Sequence, residues 1–154
     1  MLFRSVGWVK ELYDSLPRKP ETIYVDAVGL GAAVADRMIE QGMPVVCVNA
    51  GELPPMKEKF TRMRDEMWWG AREWFAAMNC SMKRDDGLIA ELTSRRFHFT
   101  SSGKVQAETK EELKKRLGGK SPDKADAFCL TFAHGAYKYG RRNQPIKYKP
   151  LGIV

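Results

Sequence analysis

The chain contains no run of about 18 apolar residues, so nothing in it reads as a membrane span. The motif G-x-x-x-x-G-K-[ST] occurs nowhere, which excludes a P-loop ATPase motor within these 154 residues. Cysteine is scarce and odd in number: Cys47, Cys80 and Cys129 are far apart. That argues against a disulfide framework or a zinc site and suits a reducing cytosol. Cys47 and Cys129 sit in apolar segments and read as small core residues. No Ser/His/Asp or Cys/His arrangement is apparent, since the only histidines are His98 and His134. Internal repeats and low-complexity stretches are missing too. The first sixteen residues, "MLFRSVGWVKELYDSL", carry charges throughout and lack the apolar stretch of a signal peptide.

What is present suits one domain with a real core, since 44% of 154 residues are hydrophobic. The formal net charge is +7 and the sequence pI about 9.4. Such a balance is compatible with a nucleic-acid partner, whose phosphates release counterions when neutralised, and equally with a solvated basic surface. The positive charge gathers late, in "KEELKKRLGGK" and "YKYGRRNQPIKYK".

Helical spacing of Val6, Val9, Leu12, Tyr13 and Leu16 predicts a helix over 3–16, ended by the prolines of "LPRKPE". A strand follows at 22–26, then a helix over 31–41 with Val34, Met38 and Ile39 inward and Gly42 closing it. "PVVCVNA" is a second buried strand, so this run reads as two parallel strands joined by a right-handed crossover. After a loop at 51–59, a helix from Phe60 to Met78 carries Met63, Met67, Trp68, Trp74 and Phe75 as its apolar side. That stripe fits core packing better than base stacking. A short helix covers 86–93. In "RRFHFTSSGKVQAET", Phe97 and Phe99 alternate with polar residues around an "SSG" turn, which predicts a hairpin with His98 exposed. Residues 110–119 form a charged helix. In the last helix, "SPDKADAFCLTFAHGAYKYG", Ser121 is the expected cap, Pro122 takes the first position, and Ala125, Phe128, Cys129 and Phe132 face the core. His134 is either a partner of that helix's C-terminal dipole or a group supporting the site. The domain is expected to span 1–140, with a basic, loose tail at 141–154.

The segment "IYVDAVGLG" puts a carboxylate, Asp26, at the C-terminal end of a parallel strand, where ligands sit in open α/β sheets. Asp123 and Asp126 are three apart and share one side of a helix. If that helix packs on the first strand, three carboxylates converge, and a hard divalent cation such as Mg²⁺ or Mn²⁺ gives them a reason to be charged together. Blander uses stay open. Asp26 can be a turn residue or a helix cap, Asp123 can complement a helix dipole, and Asp126 can be a surface acid. "VGLGAA" resembles a phosphate-binding glycine loop, but its spacing is not G-x-G-x-x-G, so a nucleotide-binding module is weakly supported.

The blocks "YVDAVGLGAAVADRMIEQGMPVVCVNAGE", "RDEMWWGAREWF" and "LIAELTSRRFHFTSSGKVQAETKEELKKRLGGKSPDKADAFCLTFA", in that order and spacing from about residue 3 to 139, resemble the C-terminal nuclease domain of tailed-phage terminase large subunits, the DNA-packaging motors. The resemblance implies an α/β, ribonuclease H-like nuclease fold with 96–108 as a β-hairpin insertion beside the cleft. It makes Asp26 the second metal-binding carboxylate and puts the third in the block holding Asp123 and Asp126, so all three are candidate catalytic and metal-ligating residues for Mg²⁺ or Mn²⁺. Lys104, Lys114, Lys115, Arg116 and Lys120 would face phosphates of double-stranded DNA. Intact relatives also meet a portal and a small terminase subunit, and cleave concatemeric phage DNA in the cytoplasm of the bacterial host.

In that family a first catalytic aspartate lies on a strand upstream of everything matched here. The expectation is therefore an incomplete sheet with its first strands absent, an open edge at "TIYVD" that self-associates, weak binding of one metal, and little nuclease activity by this chain alone. The alternative function is a catalytically inactive prophage remnant that binds DNA or self-associates.

Overall fold

The computed structural model describes residues 2–133. The segments expected at 141–154 and around His134 lie outside the described residues. Helix α1 (Leu2–Ser15) leads to strand β1 (Ile23–Asp26), helix α2 (Leu30–Glu40) and strand β2 (Val45–Val48). The two strands pair in parallel, Ile23 opposite Val45 through Asp26 opposite Val48, as the short apolar runs around an intervening helix dictate. Among the described residues this sheet has two strands. Gly42, at φ 76°, takes the left-handed position that ends α2.

One core cluster joins Val6 of α1, Met38 of α2 and Met43, with Ile23, Val25 and Val45 packed against it. Ala35, fully buried, and Met38 face inward from α2, whereas Ile39 is half exposed, contrary to its predicted position. A helix over one sheet face buries a narrow stripe, and Ala35–Met38 supplies it. Cys47 also departs from expectation. It is exposed because successive strand residues alternate faces and Val48 takes the buried one.

Helix α3 runs Met63–Ala76 and is shorter than predicted. Phe60 instead forms a bridge to Val105, and the Val105 N–H donates to the Lys59 carbonyl at 2.7 Å. Helix α4 (Asp86–Ser94), strands β3 (Phe97–Phe99) and β4 (Val105–Ala107), helix α5 (Lys110–Arg116) and helix α6 (Asp123–Leu130) complete the order. The hairpin β3–β4 pairs antiparallel, Phe97 opposite Ala107, with Gly103 at φ 77° in its turn. Only β4 is buried. Phe97 and Phe99 are exposed together with His98, although Phe97 meets the Trp69 ring edge-on at 5.0 Å.

Asp65, 1% exposed, pins this hairpin to α3. One carboxylate oxygen accepts the Ala107 N–H at 3.0 Å. The other accepts the Arg62 N–H at 2.9 Å and the Thr61 hydroxyl. A second cluster holds Val48, Met63, Met67, Ala71, Cys129 and Ala133 together, so α3 and α6 pack on the end of the sheet. Leu113 of α5 is fully buried.

The start of α6 differs from its local sequence signal. Pro122 stands at the cap position, and Ser121 accepts nothing and donates nothing, its hydroxyl being buried without a partner. A tertiary contact serves instead: Glu91 of α4 accepts the Ala125 N–H at 2.9 Å. Beside it Lys124 pairs with Asp85, which itself caps α4 by accepting the Leu88 N–H at 2.9 Å. Those two hydrogen bonds, the backbone one first, hold the Asp85 carboxyl below its ordinary range.

Candidate active site

Asp26 ends β1 with its side chain in a tight turn, where Oδ1 accepts the Val28 N–H at 3.2 Å. That is the local role the sequence left open for it, and it fixes the carboxylate at the strand end. Helix α2 begins immediately behind. A Cβ at Gly31 would stand 1.8 Å from the Asp26 carbonyl oxygen, so glycine is required for the helix to start so close to the strand.

Across from Asp26, α6 presents Asp123 and Asp126. The two share a side of the helix but differ in surroundings. Asp123 is mostly in solvent, while Asp126 is about two-thirds buried. The indole Nε1 of Trp68 donates to Asp126 Oδ1 at 3.1 Å. Arg95 Nη2 lies 3.5 Å from the same oxygen, and Lys110 Nζ approaches Asp126 at 4.0 Å and Asp123 at 3.9 Å.

All three carboxylates line one cavity of about 350 Å³, together with Arg64, Arg95 and Lys110. Three acids thus face three bases. Among the described residues no three His, Cys, Asp or Glu side chains are gathered closely enough to hold a metal ion between them. The donor set is nonetheless all carboxylate oxygen, without thiolate or imidazole, which in kind fits a hard cation such as Mg²⁺ or Mn²⁺.

Arg95 is the least expected member. Its side chain is 2% exposed, and its guanidinium lies over the Trp68 ring at 4.3 Å. Burial pushes its pKa down, while the neighbouring Asp126 acts the other way. On the far side of Asp126, burial pushes the Cys129 thiol up to about 12, so this cysteine is inert packing rather than a nucleophile.

Sequence reasoning placed Trp68 in an apolar stripe and missed its second role as donor to Asp126. It missed Arg64, Arg95 and Lys110 altogether. The signal for Arg95 was faint, two basic residues between a helix and a strand, and nothing local marks which of them turns inward.

The candidate DNA-facing residues do not share one environment. Lys114 and Lys115 are exposed on α5, Lys120 is exposed beyond it, and Lys104 is half-buried at the hairpin turn. Arg116 is engaged within the fold. Its Nε and Nη2 donate to the two oxygens of Glu108 at 3.0 and 2.6 Å. This pair raises the Arg116 pKa and lowers that of Glu108. Arg116 thus ties α5 to the end of the hairpin while remaining at the surface.

A scan against protein families finds no match, and a search of curated proteins finds none either. Solved structures do share the fold. The nuclease domain of the large terminase subunit gp2 of bacterial virus Sf6, as a lysine-to-alanine variant with manganese, matches at 21% identity and a TM-score of 0.60 over 81% of this chain and 71% of that one. The same variant with calcium, and a further structure of the gp2 nuclease domain of Sf6, each match at 21% identity and a TM-score of 0.60 over 81% of this chain and 70% of theirs.

Proposed function

We propose that this chain carries the site of a metal-dependent DNA endonuclease with a ribonuclease H-like fold, of the kind that packaging terminases use to cut concatemeric phage DNA. The observation that supports it best is that Asp26 from a strand end and Asp123 and Asp126 from a distant helix line one cavity. Manganese and calcium in structures that share the fold support a divalent cation.

Asp26 and Asp126 would hold Mg²⁺ or Mn²⁺, with Asp123 at the solvent side of the same helix face. A cation held there would supply Lewis-acid activation of water and charge neutralisation at the phosphodiester. The chain's own part is to fix the ligands. The Asp26 turn sets one carboxylate, and the Trp68 indole and Arg95 orient the other. Lys110, 3.9 Å from Asp123 and 4.0 Å from Asp126, would offer charge to a phosphate that enters the cavity. Lys104, Lys114, Lys115 and Lys120 add sequence-independent attraction to double-stranded DNA. Phage DNA is cut in the cytoplasm of the bacterial host, and that is the compartment we assign.

The described residues gather no three-acid cluster, so turnover by this chain alone is expected to be slow and metal binding is the primary readout. Mn²⁺ titration followed by electron paramagnetic resonance should show saturable binding. Asp26→Asn and Asp126→Asn should each weaken it about ten-fold or more, the cost of losing a charged ligand. Any Mn²⁺-dependent nicking of plasmid DNA should vanish in both. Wild-type Mn²⁺ affinity in both variants would overturn the reading.

A sheet of two strands is marginal by itself, and α1 leaves Trp8 and Leu12 exposed beside it. Association with a second copy is therefore expected in light scattering, and a clean 17.5 kDa monomer would refute it.

A further inference from the structure

Two arginines in the cavity carry buried N–H donors that make no hydrogen bond. None of the three guanidinium nitrogens of Arg95 makes a hydrogen bond, and all are buried. The Arg64 Nε is buried without a partner as well. Among the described residues the Arg64 side chain forms no hydrogen bond and no ion pair. Each guanidinium carries about five N–H donors in a planar fork. Folded proteins satisfy nearly all such buried groups, so a pair left open in one place calls for an explanation.

The charges around them point the same way. Arg64 is close enough to Arg95 for their like charges to repel. The carboxylate beside Arg95 is Asp126, and Lys110 also draws on it. Arg95 and Lys110 thus share Asp126, and Arg64 has no carboxylate of its own among the described residues. Stacking on Trp68 occupies the face of the Arg95 guanidinium, and its edge meets Asp126 in an ion pair at 3.5 Å without a hydrogen bond. What is missing is an anion with oxygens for a guanidinium fork, and phosphate is the group that geometry matches.

We propose that Arg64, backed by the charge of Arg95, seats a phosphate oxygen of the DNA backbone next to the carboxylates that would hold the metal. Arg64, half-buried, makes the contact at the cavity wall, and Arg95 supplies charge from behind and fixes Asp126. The proposal rests on the nuclease reading for the identity of the anion and is independent of it for the anion site itself.

The test is duplex binding by the full chain, in EDTA and at fixed ionic strength, read by fluorescence anisotropy of a short labelled duplex. Arg64→Gln should weaken binding about ten-fold or more and reduce the salt slope by about one. Arg95→Lys, which keeps the charge and loses the fork, should weaken it several-fold. Inorganic phosphate at matched ionic strength should displace the duplex from the wild type more than chloride does, and this excess should disappear in Arg64→Gln. Urea midpoints of each variant separate a lost contact from a lost fold. Should Arg95→Lys not fold, Arg64→Gln decides alone. Duplex affinity of a well-folded Arg64→Gln within two-fold of wild type overturns the proposal. So does phosphate sensitivity without any change in duplex binding, or a loss that tracks the unfolded fraction. Because no metal is present, failed Mn²⁺ binding sinks the nuclease reading and leaves this result standing. Failed duplex binding by the wild type sinks this proposal and leaves the Mn²⁺ result standing.

Discussion

Replacing Gly31 with alanine tests how tightly the fold positions Asp26. The added Cβ would meet the Asp26 carbonyl oxygen at 1.8 Å and its carbonyl carbon at 3.0 Å. Ordinary contact begins at 3.4 Å, so helix and strand end must separate by about 1.6 Å. The atoms in the way are backbone, which cannot swing aside as a side chain can. Overpacking of this kind costs about 1–3 kcal/mol. Alanine returns up to about 1 kcal/mol through helix propensity. The net loss of stability is thus about 0–3 kcal/mol. Geometry responds more strongly, since a displacement near 1 Å at a reacting group can cost about 100-fold. Gly31→Ala should therefore remain folded in urea titration yet lose most of its Mn²⁺ affinity. Unchanged Mn²⁺ binding with lowered stability would mean that Asp26 is not a ligand. Unchanged binding with raised stability would mean that α2 does not start against the strand as described.

Three further outcomes follow from packing and charge. Asp65→Ala leaves the N–H groups of Ala107 and Arg62 without their acceptor, at about 1–3 kcal/mol for each buried group. A loss of about 2–5 kcal/mol in urea unfolding is expected, and a change below 0.5 kcal/mol would refute the clamp. For Arg116→Gln, the sign follows from Glu108, whose pKa Arg116 lowers from 4.5 in the folded state. The stabilisation is present above about 4.5 and lost as pH falls through the lower folded value. The gap in urea midpoint between wild type and variant should be full at pH 7 and close as pH falls below 4.5, and a gap that widens in acid would contradict the pairing. Exposed Cys47 should react with a thiol reagent in the native protein at pH 8. Cys129, with its pKa near 12, should react only on unfolding, and rapid labelling of Cys129 would show that the second core is open.

Much of the frame was legible in the chain itself. Apolar spacing of 3.6 marked α1, α2 and α3. Two short β-branched runs around a helix required a parallel pair, and the strand ending in Asp26 followed from that pair. Asp123 and Asp126 fell on one side of α6 by spacing alone. These features depend on neighbours a few residues apart, and local periodicity carries them. Other features depend on partners far away in sequence and left little local trace. Ser121 had every mark of a cap, yet Glu91, thirty-four residues upstream of Ala125, took the role because α4 packs against α6. Asp65 carried no local signal of its own and became a buried clamp only when the hairpin closed over it. Arg116 read as a DNA-facing base, and nothing nearby in sequence announced its pairing with Glu108. Ile39 and Cys47 were apolar in apolar segments, but the width of a helix stripe and the alternation of a strand left no buried place for them. Tertiary structure also decided that Arg95 and Arg64 would stand beside the carboxylates. A long-range approach of charged groups is set by the shape of the whole core, and no periodicity within a single element encodes it.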